Sequence, residues 1–220
     1  MILVHHLNDS RSQRVLWLLE ELALPYEIVH HQRDPQTMMA PASLRAVHPL
    51  GKSPVIEDEG YVIAETGAIV EYLVDRAGGR LRPQPGTAEF LAYRYWLHYA
   101  EGSAMPPLLM KLVFGAIPER TPGLIRPLVR MITGQVETSF VDPQLQTHFD
   151  YWEGVLASIK WFAGQDFSAA DVMMSFPIEA AAQRGDALAG RPHLKAFLDA
   201  IHSRPAWRTA LEKGGPYSFA

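Results

Sequence analysis

The chain has 220 residues, 48% of them hydrophobic and 20% charged, with a formal net charge of −4. Such a composition supports a globular protein with a sizeable core, and it excludes a basic nucleic-acid footprint because no Lys/Arg block occurs. The chain contains no cysteine, which excludes disulfides, thiolate metal sites and a protein thiol nucleophile.

The N-terminal MILVHHLND has neither the basic region nor the apolar run of a signal peptide. The most apolar later stretch, Leu108 to Ile117, is interrupted by Lys111 and is too short to span a bilayer. A cytoplasmic protein without membrane attachment is expected. Residues 2–6 read as a strand. Val15, Leu18, Leu19 and Leu22 recur at helical spacing between Ser12 and Ala23, so an amphipathic helix follows. Pro25 stops it, and Tyr26 to His30 form a second strand. The polar, Pro-bearing stretch from Gln32 to Leu50 is expected as a loop. Pro54 then opens a strand through Val55 and Ile56, Asp58-Glu59-Gly60 turns the chain, and Tyr61 to Ile63 return it. Glu65 and Thr66 begin a helix carrying Ile69, Val70, Leu73 and Val74. An X-Pro bond, a hairpin and an acid-plus-hydroxyl helix start make the stretch from His48 to Tyr72 the expected small-ligand site. The βαβ-ββα order predicts a thioredoxin-like outline with a mixed sheet.

Ala77 to Thr87 (AGGRLRPQPGT) is rich in Gly, Pro and Arg and reads as a linker. The expected division is 1–80, a linker at 81–87, and an all-helical domain at 88–220. Residues 88–116 predict one long helix, kinked at Pro106 and Pro107. The turn from Pro118 to Gly123 leads to a second helix ending near Val141. A third follows Asp142, with Leu145, Phe149, Trp152, Leu156 and Ile159 as its core stripe. Ser168 and Asp171 have the spacing of a capping box, with Phe167 and Val172 at the positions of a hydrophobic staple. That signal is structural, worth about 1 kcal/mol for Ser168.

Several chemical motifs fail on inspection. Gly51-Lys52-Ser53 is no P-loop, since Ala46 stands where a glycine is needed and Pro54 where a helix should start. His5-His6 and His30-His31 are strand neighbours that point to opposite faces, so neither pair makes a two-ligand site, and no metal is expected. His98 and Glu101 lie one helical turn apart and read mainly as a polar face. Ser10, or Asp9, can cap the first helix. The same helix start favours a bound anion, and a hydroxyl there can donate to a thiolate.

VHHLNDSRSQRVLWLLEEL, PYEI, HPLGKSPVI and ETGAIVEYL, in that order and followed by a helical half containing FSAADV, resemble the cytosolic glutathione transferases. The likeness is strongest to the bacterial and fungal branch with an HxLxxSR start, and it is dense over roughly the first eighty residues. The resemblance implies a cis bond before Pro54 and a Ser53 backbone pairing with the cysteinyl part of glutathione. It places Lys52 near the glycyl end and Glu65 and Thr66 on the γ-glutamyl group. Physically, Glu65 can pair with the ammonium, while Thr66 and helix-start N–H groups take the carboxylate.

Ser10 is the expected thiolate-stabilising group, with Asn8 second. A thiol of pKa near 8.5 is only about 3% thiolate at pH 7, and lowering it by two makes it about three-quarters ionised. Tyr95, His98, Tyr99 and Ser103 are the expected electrophile-pocket residues. The resemblance implies a homodimer using glutathione as co-substrate, with no cofactor, acting on small hydrophobic electrophiles in detoxification. Two rivals are a glutathione-dependent peroxidase or disulfide reductase that needs no protein cysteine, and a non-catalytic binding scaffold of the same fold.

Overall fold

The computed structural model describes residues 1–37, 39–183 and 186–219. Its first half runs β1 (Ile2–Leu7), α1 (Ser12–Glu21), β2 (Tyr26–His31), α2 (Ala42–Val47), β3 (Val55–Asp58), β4 (Tyr61–Ala64) and α3 (Thr66–Arg76). The strand order is β2-β1-β3-β4. β1 and β2 are parallel, whereas β3 is antiparallel to both β1 and β4. The sheet is therefore mixed, with the βαβ-ββα order expected from the sequence.

The stretch expected as a loop between Gln32 and Leu50 contains the helix α2. Six residues are less than two turns and leave little periodicity to detect. Only Leu44 of this helix is buried, and Val47 one turn on is half-buried, so the helix leaves little apolar stripe to read.

The second half is helical: α4 (Ala88–Tyr99), α5 (Met105–Glu119), α6 (Arg126–Val136), α7 (Asp142–Ser158), α8 (Ala169–Ala182), α9 (Pro192–His202) and α10 (Pro205–Gly214). The expected kink at Pro106 and Pro107 is a π-helical turn over Ala100–Ala104, just before the prolines, in which Met105 donates to the Ala100 carbonyl. Neither proline has an N–H for the ordinary ladder, and their rings crowd the carbonyls four residues back, so the wider register accommodates them. The same device recurs over Glu137–Val141, ahead of Pro143.

Leu145, Phe149, Trp152 and Leu156 of α7 are buried, while Ile159 lies just past the helix. The capping box at Ser168 and Asp171 forms. Asp171 also accepts the Phe162 N–H at 2.8 Å, tying the preceding loop to α8. Burial pushes the Asp171 carboxyl up to about 6, against the hydrogen bonds from Phe162 and Ser168 that favour its ionised form.

Helix α1 joins the halves. It packs on β1 and α3 and also against α8 and α10, and residues from Ser12 to Leu19 are all buried. α8 is buried nearly all round, as expected of a central helix. The N-terminus of α1 is therefore held at the seam between sheet and helices. Among the described residues no helix is long and apolar enough to cross a membrane.

Candidate functional site

The loop from β1 to α1 holds Asn8, Asp9, Ser10 and Arg11. Asp9 has a left-handed backbone, φ 48°, which costs a non-glycine residue energy and is commonest where a site needs an unusual direction. Asn8 is committed elsewhere, because its Oδ1 accepts the Arg33 N–H at 2.8 Å. Asp9 does not cap α1; its Oδ1 accepts the Ser218 N–H at 2.8 Å. Ser10 is buried, and its Oγ accepts the Ser12 N–H at 3.2 Å. Its own proton has two oxygens in reach, Ser12 Oγ at 2.7 Å and Ser53 Oγ at 3.3 Å. A hydroxyl offers one donor and two acceptor positions, so Ser10 can hold the helix start and still donate.

Ser53 brings the β3 side of the site to the same point. Its hydroxyl donates to the His5 carbonyl at 3.3 Å, and the Ser53–Pro54 bond is cis. Pro54 is buried and Lys52 exposed. Across from them, Glu65 precedes α3 with φ 69°. Its carboxylate makes no cap hydrogen bond to α3, and the residue is exposed. Thr66, the first residue of α3, is buried. The first N–H groups of a helix lack intrahelical partners and favour an anion.

The helical half reaches this site through Glu101, in the first π turn. Glu101 pairs with Arg14, which is buried, and with Arg11 Nη1 at 3.3 Å. Burial works to raise the Glu101 carboxyl, but Arg14 and Arg11 outweigh it and hold the pKa below the usual range. Burial likewise lowers the Arg11 guanidinium, opposed by Glu101 and by Glu65. Arg11 thus lies within the field of both acids. Of the expected His98–Glu101 polar face, His98 is exposed, whereas Glu101 turns to α1. Arg11, Arg14 and Ser12 were missed as members of this cluster. The only local signal was their position at the start of α1.

Of the expected electrophile-pocket residues, Tyr95 and Tyr99 are four apart and turn toward α7. The Tyr99 hydroxyl meets His148 Nδ1 and accepts from Trp152 Nε1, the latter at 3.0 Å. Tyr95 stacks on Tyr99 with ring centroids 5.4 Å apart and bonds to Tyr151. Both belong to the α4–α7 packing, and Tyr99 is not available as a pocket wall. His98 and Ser103 are exposed.

The histidine pairs separate as alternation requires. His5 lies between Glu57 Oε1 at 2.8 Å and His31 Nε2 at 3.1 Å, and His31 Nδ1 is 3.0 Å from Ser43 Oγ. This chain spans β3, β1, β2 and α2, and burial lowers the His31 pKa. His6 faces the other side, with Nδ1 2.9 Å from Ser12 Oγ. Among the described residues no group of three or more His, Cys, Asp or Glu side chains is placed to hold a metal ion.

Two family models match the chain: the glutathione S-transferase N-terminal domain over residues 10–76 and the glutathione S-transferase C-terminal domain over residues 116–205. Glutathione S-transferase 3 of Schizosaccharomyces pombe is 38% identical, covering 97% of this chain and 88% of its own length. Glutathione S-transferase 1 of Saccharomyces cerevisiae is 31% identical, covering 97% and 95%. A glutathione S-transferase crystal structure from Actinobacillus pleuropneumoniae superposes with a TM-score of 0.76 at 30% identity, covering 100% of this chain and 95% of that one.

Proposed function

The chain belongs to the glutathione S-transferase family, and from that premise we propose that it conjugates the thiol of glutathione to small hydrophobic electrophiles. The observation that carries this reading is the Ser10 hydroxyl 3.3 Å from that of Ser53 before the cis Pro54, with Glu65 and the α3 start following Ala64, which pairs with Val55. The Ser53 backbone takes the cysteinyl part of the tripeptide, Lys52 lies toward the glycyl end, and Glu65 with Thr66 takes the γ-glutamyl group. Glu65 pairs with the ammonium, while the Thr66 hydroxyl and the N–H groups opening α3 receive the carboxylate.

Binding in that orientation brings the sulfur toward the cis-proline loop, where Ser10 lies 3.3 Å from Ser53. The Ser10 O–H donates to the thiolate, and the N-terminus of α1 adds partial positive charge. Donor and dipole favour the ionised sulfur over the thiol, whose proton leaves to solvent rather than to the protein. The thiolate then attacks the electrophile, forming the carbon–sulfur bond as the leaving group departs with its electron pair. His98 and Ser103 are the proposed pocket residues on the helical side.

A homodimer in the cytoplasm is part of the same proposal. Supporting it, Tyr61 and Val62 on the edge strand β4 and Leu91 on α4 are exposed apolar side chains. The domain division at 81–87 is likewise proposed, in keeping with a stretch that lies between α3 and α4. No observation favours a reductase or a scaffold.

Retention on immobilised glutathione, with conjugation of chlorodinitrobenzene, tests the reading. A folded protein that neither binds the column nor conjugates that substrate would overturn it.

A further inference from the structure

We propose that Ser12 and His6 are positioning residues for Ser10: the buried pair sets the direction of the hydrogen-bond chain, so that Ser10 meets the glutathione sulfur as a donor. This rests on the reading of Ser10 given above.

Ser12 is fully buried, and its Oγ is surrounded by polar groups. His6 Nδ1 lies at 2.9 Å, Ser10 Oγ at 2.7 Å, the Leu7 N–H at 3.3 Å and the Leu7 carbonyl at 3.4 Å. One hydroxyl proton must serve this set. His6 decides where it goes. Burial and the neighbouring His30 push its pKa down to about 4, so the ring is neutral and carries a single N–H. The Gly214 backbone acts on the ring to raise its pKa, as an acceptor does for an N–H, and in the proposed chain the single N–H goes to that side and Nδ1 faces Ser12 as a lone pair. The Ser12 proton goes to that lone pair.

The Ser12 oxygen can then only accept. Ser10 must donate to it, while the Ser12 N–H holds the Ser10 oxygen from behind. An arriving thiolate is a stronger, charge-assisted acceptor for the same proton. When Ser10 turns to it, Ser12 keeps the Leu7 N–H and is not orphaned, so the exchange leaves no unpaired group. With the chain reversed, Ser12 would donate to Ser10, and only Ser53 would direct the Ser10 proton.

The parts come from distant segments: His6 on β1, Ser12 opening α1, and Gly214 ending α10. A Cβ on Gly214 would lie 2.3 Å from Gln13 Oε1, so that side chain would have to move to admit one.

The test compares Ser10→Ala, Ser12→Ala, His6→Leu and His6→Asn. The pKa of bound glutathione is read from thiolate absorbance, alongside kcat and the KM for glutathione. Ser12→Ala and His6→Leu are expected to raise the bound thiol's pKa by about 0.5 to 1 and to lower kcat about three- to tenfold, with KM little changed. His6→Asn, whose amide oxygen can replace Nδ1 as acceptor, should recover most of the loss. Adding Ser12→Ala to Ser10→Ala should cost nothing more. If Ser10→Ala raises the thiol pKa but Ser12→Ala and His6→Leu do not, the positioning role is wrong and Ser10 stands. If Ser10→Ala itself leaves the pKa in place, the Ser10 reading falls and takes this one with it. Should His6→Leu fail to fold, Ser12→Ala decides alone.

Discussion

Arg14 and Glu101 form an ion pair across the seam between the sheet half and the helical half, with the Arg14 side chain buried and Arg11 closing on the other carboxylate oxygen. One acid therefore serves two cations, and removing its charge leaves the buried Arg14 without a carboxylate partner and Arg11 with only the field of Glu65. Glu101→Gln is expected to destabilise the fold by about 3 kcal/mol, the low end for a broken buried pair. Urea unfolding measures this, and a loss below about 1 kcal/mol would mean that water already screens the pair.

Ser10→Ala should lower turnover while leaving glutathione affinity nearly unchanged, because its hydroxyl acts on the sulfur alone. A charge-assisted hydrogen bond of about 1.5–3 kcal/mol corresponds to roughly a 10- to 150-fold loss in kcat. Steady-state kinetics at saturating electrophile would show it. A rise in KM without a fall in kcat would reassign Ser10 to binding.

For Glu65→Gln the expectation is the reverse. The neutral amide keeps the shape but loses the charge that pairs with the ammonium. The KM for glutathione should rise about 10-fold or more, with a smaller effect on kcat. Calorimetric titration with glutathione checks this directly, and an unchanged affinity would remove Glu65 from the γ-glutamyl site.

His6 makes a prediction about acid stability. Its folded pKa is about 4, below the roughly 6.5 of an unfolded histidine. Above pH 6.5 both states leave it neutral. As the pH falls from 6.5 to 4, the unfolded chain takes up a proton that the folded chain refuses. Stability therefore declines through that window, by up to roughly 3 kcal/mol at its lower end. His6→Asn should flatten this part of the profile in urea unfolding at pH 7, 6, 5 and 4.5. Parallel profiles for the two proteins would show that His6 is not the titrating group.

Asp171→Ala should be among the most damaging single changes in the helical half. It orphans the Phe162 and Ser168 N–H groups, both buried, at about 1–3 kcal/mol each. Thermal unfolding should show a large fall in Tm. A shift of only a degree or two would mean that water replaces the carboxylate.

Much of the fold was legible in the sequence because its signals are local. Val15, Leu18, Leu19 and Leu22 mark α1 by spacing alone, and Asp58-Glu59-Gly60 turns the β3–β4 hairpin. Ser168 and Asp171 announce the start of α8. α2 escaped because one buried leucine in six residues carries no period. The prolines of α5 were read as a kink, but a backbone ladder can take up missing donors by widening its register, and the sequence does not say which course the chain follows. At the site, Ser53, Glu65 and Thr66 were visible as a cluster near one turn. Glu101 was read as part of a polar face with His98 because sequence neighbours on a helix are easier to see than a partner 87 positions away.

The sequence by itself determined the cysteine-free chemistry, the strand and helix order, the family, and the candidate residues lying next to one another in the chain. The chemistry excluded and the element order follow from composition, periodicity and spacing, which act over a few residues; the family and the roles of its site residues follow from the resemblance of the motifs. Only the tertiary structure decided what Ser10 touches. Ser53 and Ser12 flank it, the Ser12 proton is steered by His6, and Gly214 comes from the far end of the chain. Hydrogen bonds depend on distances of a few tenths of an ångström between groups that packing, not spacing, brings together. For the same reason Tyr99, plausible by position as a pocket residue, is buried against His148 and Trp152 of α7, while Tyr95 stacks on it and stays exposed.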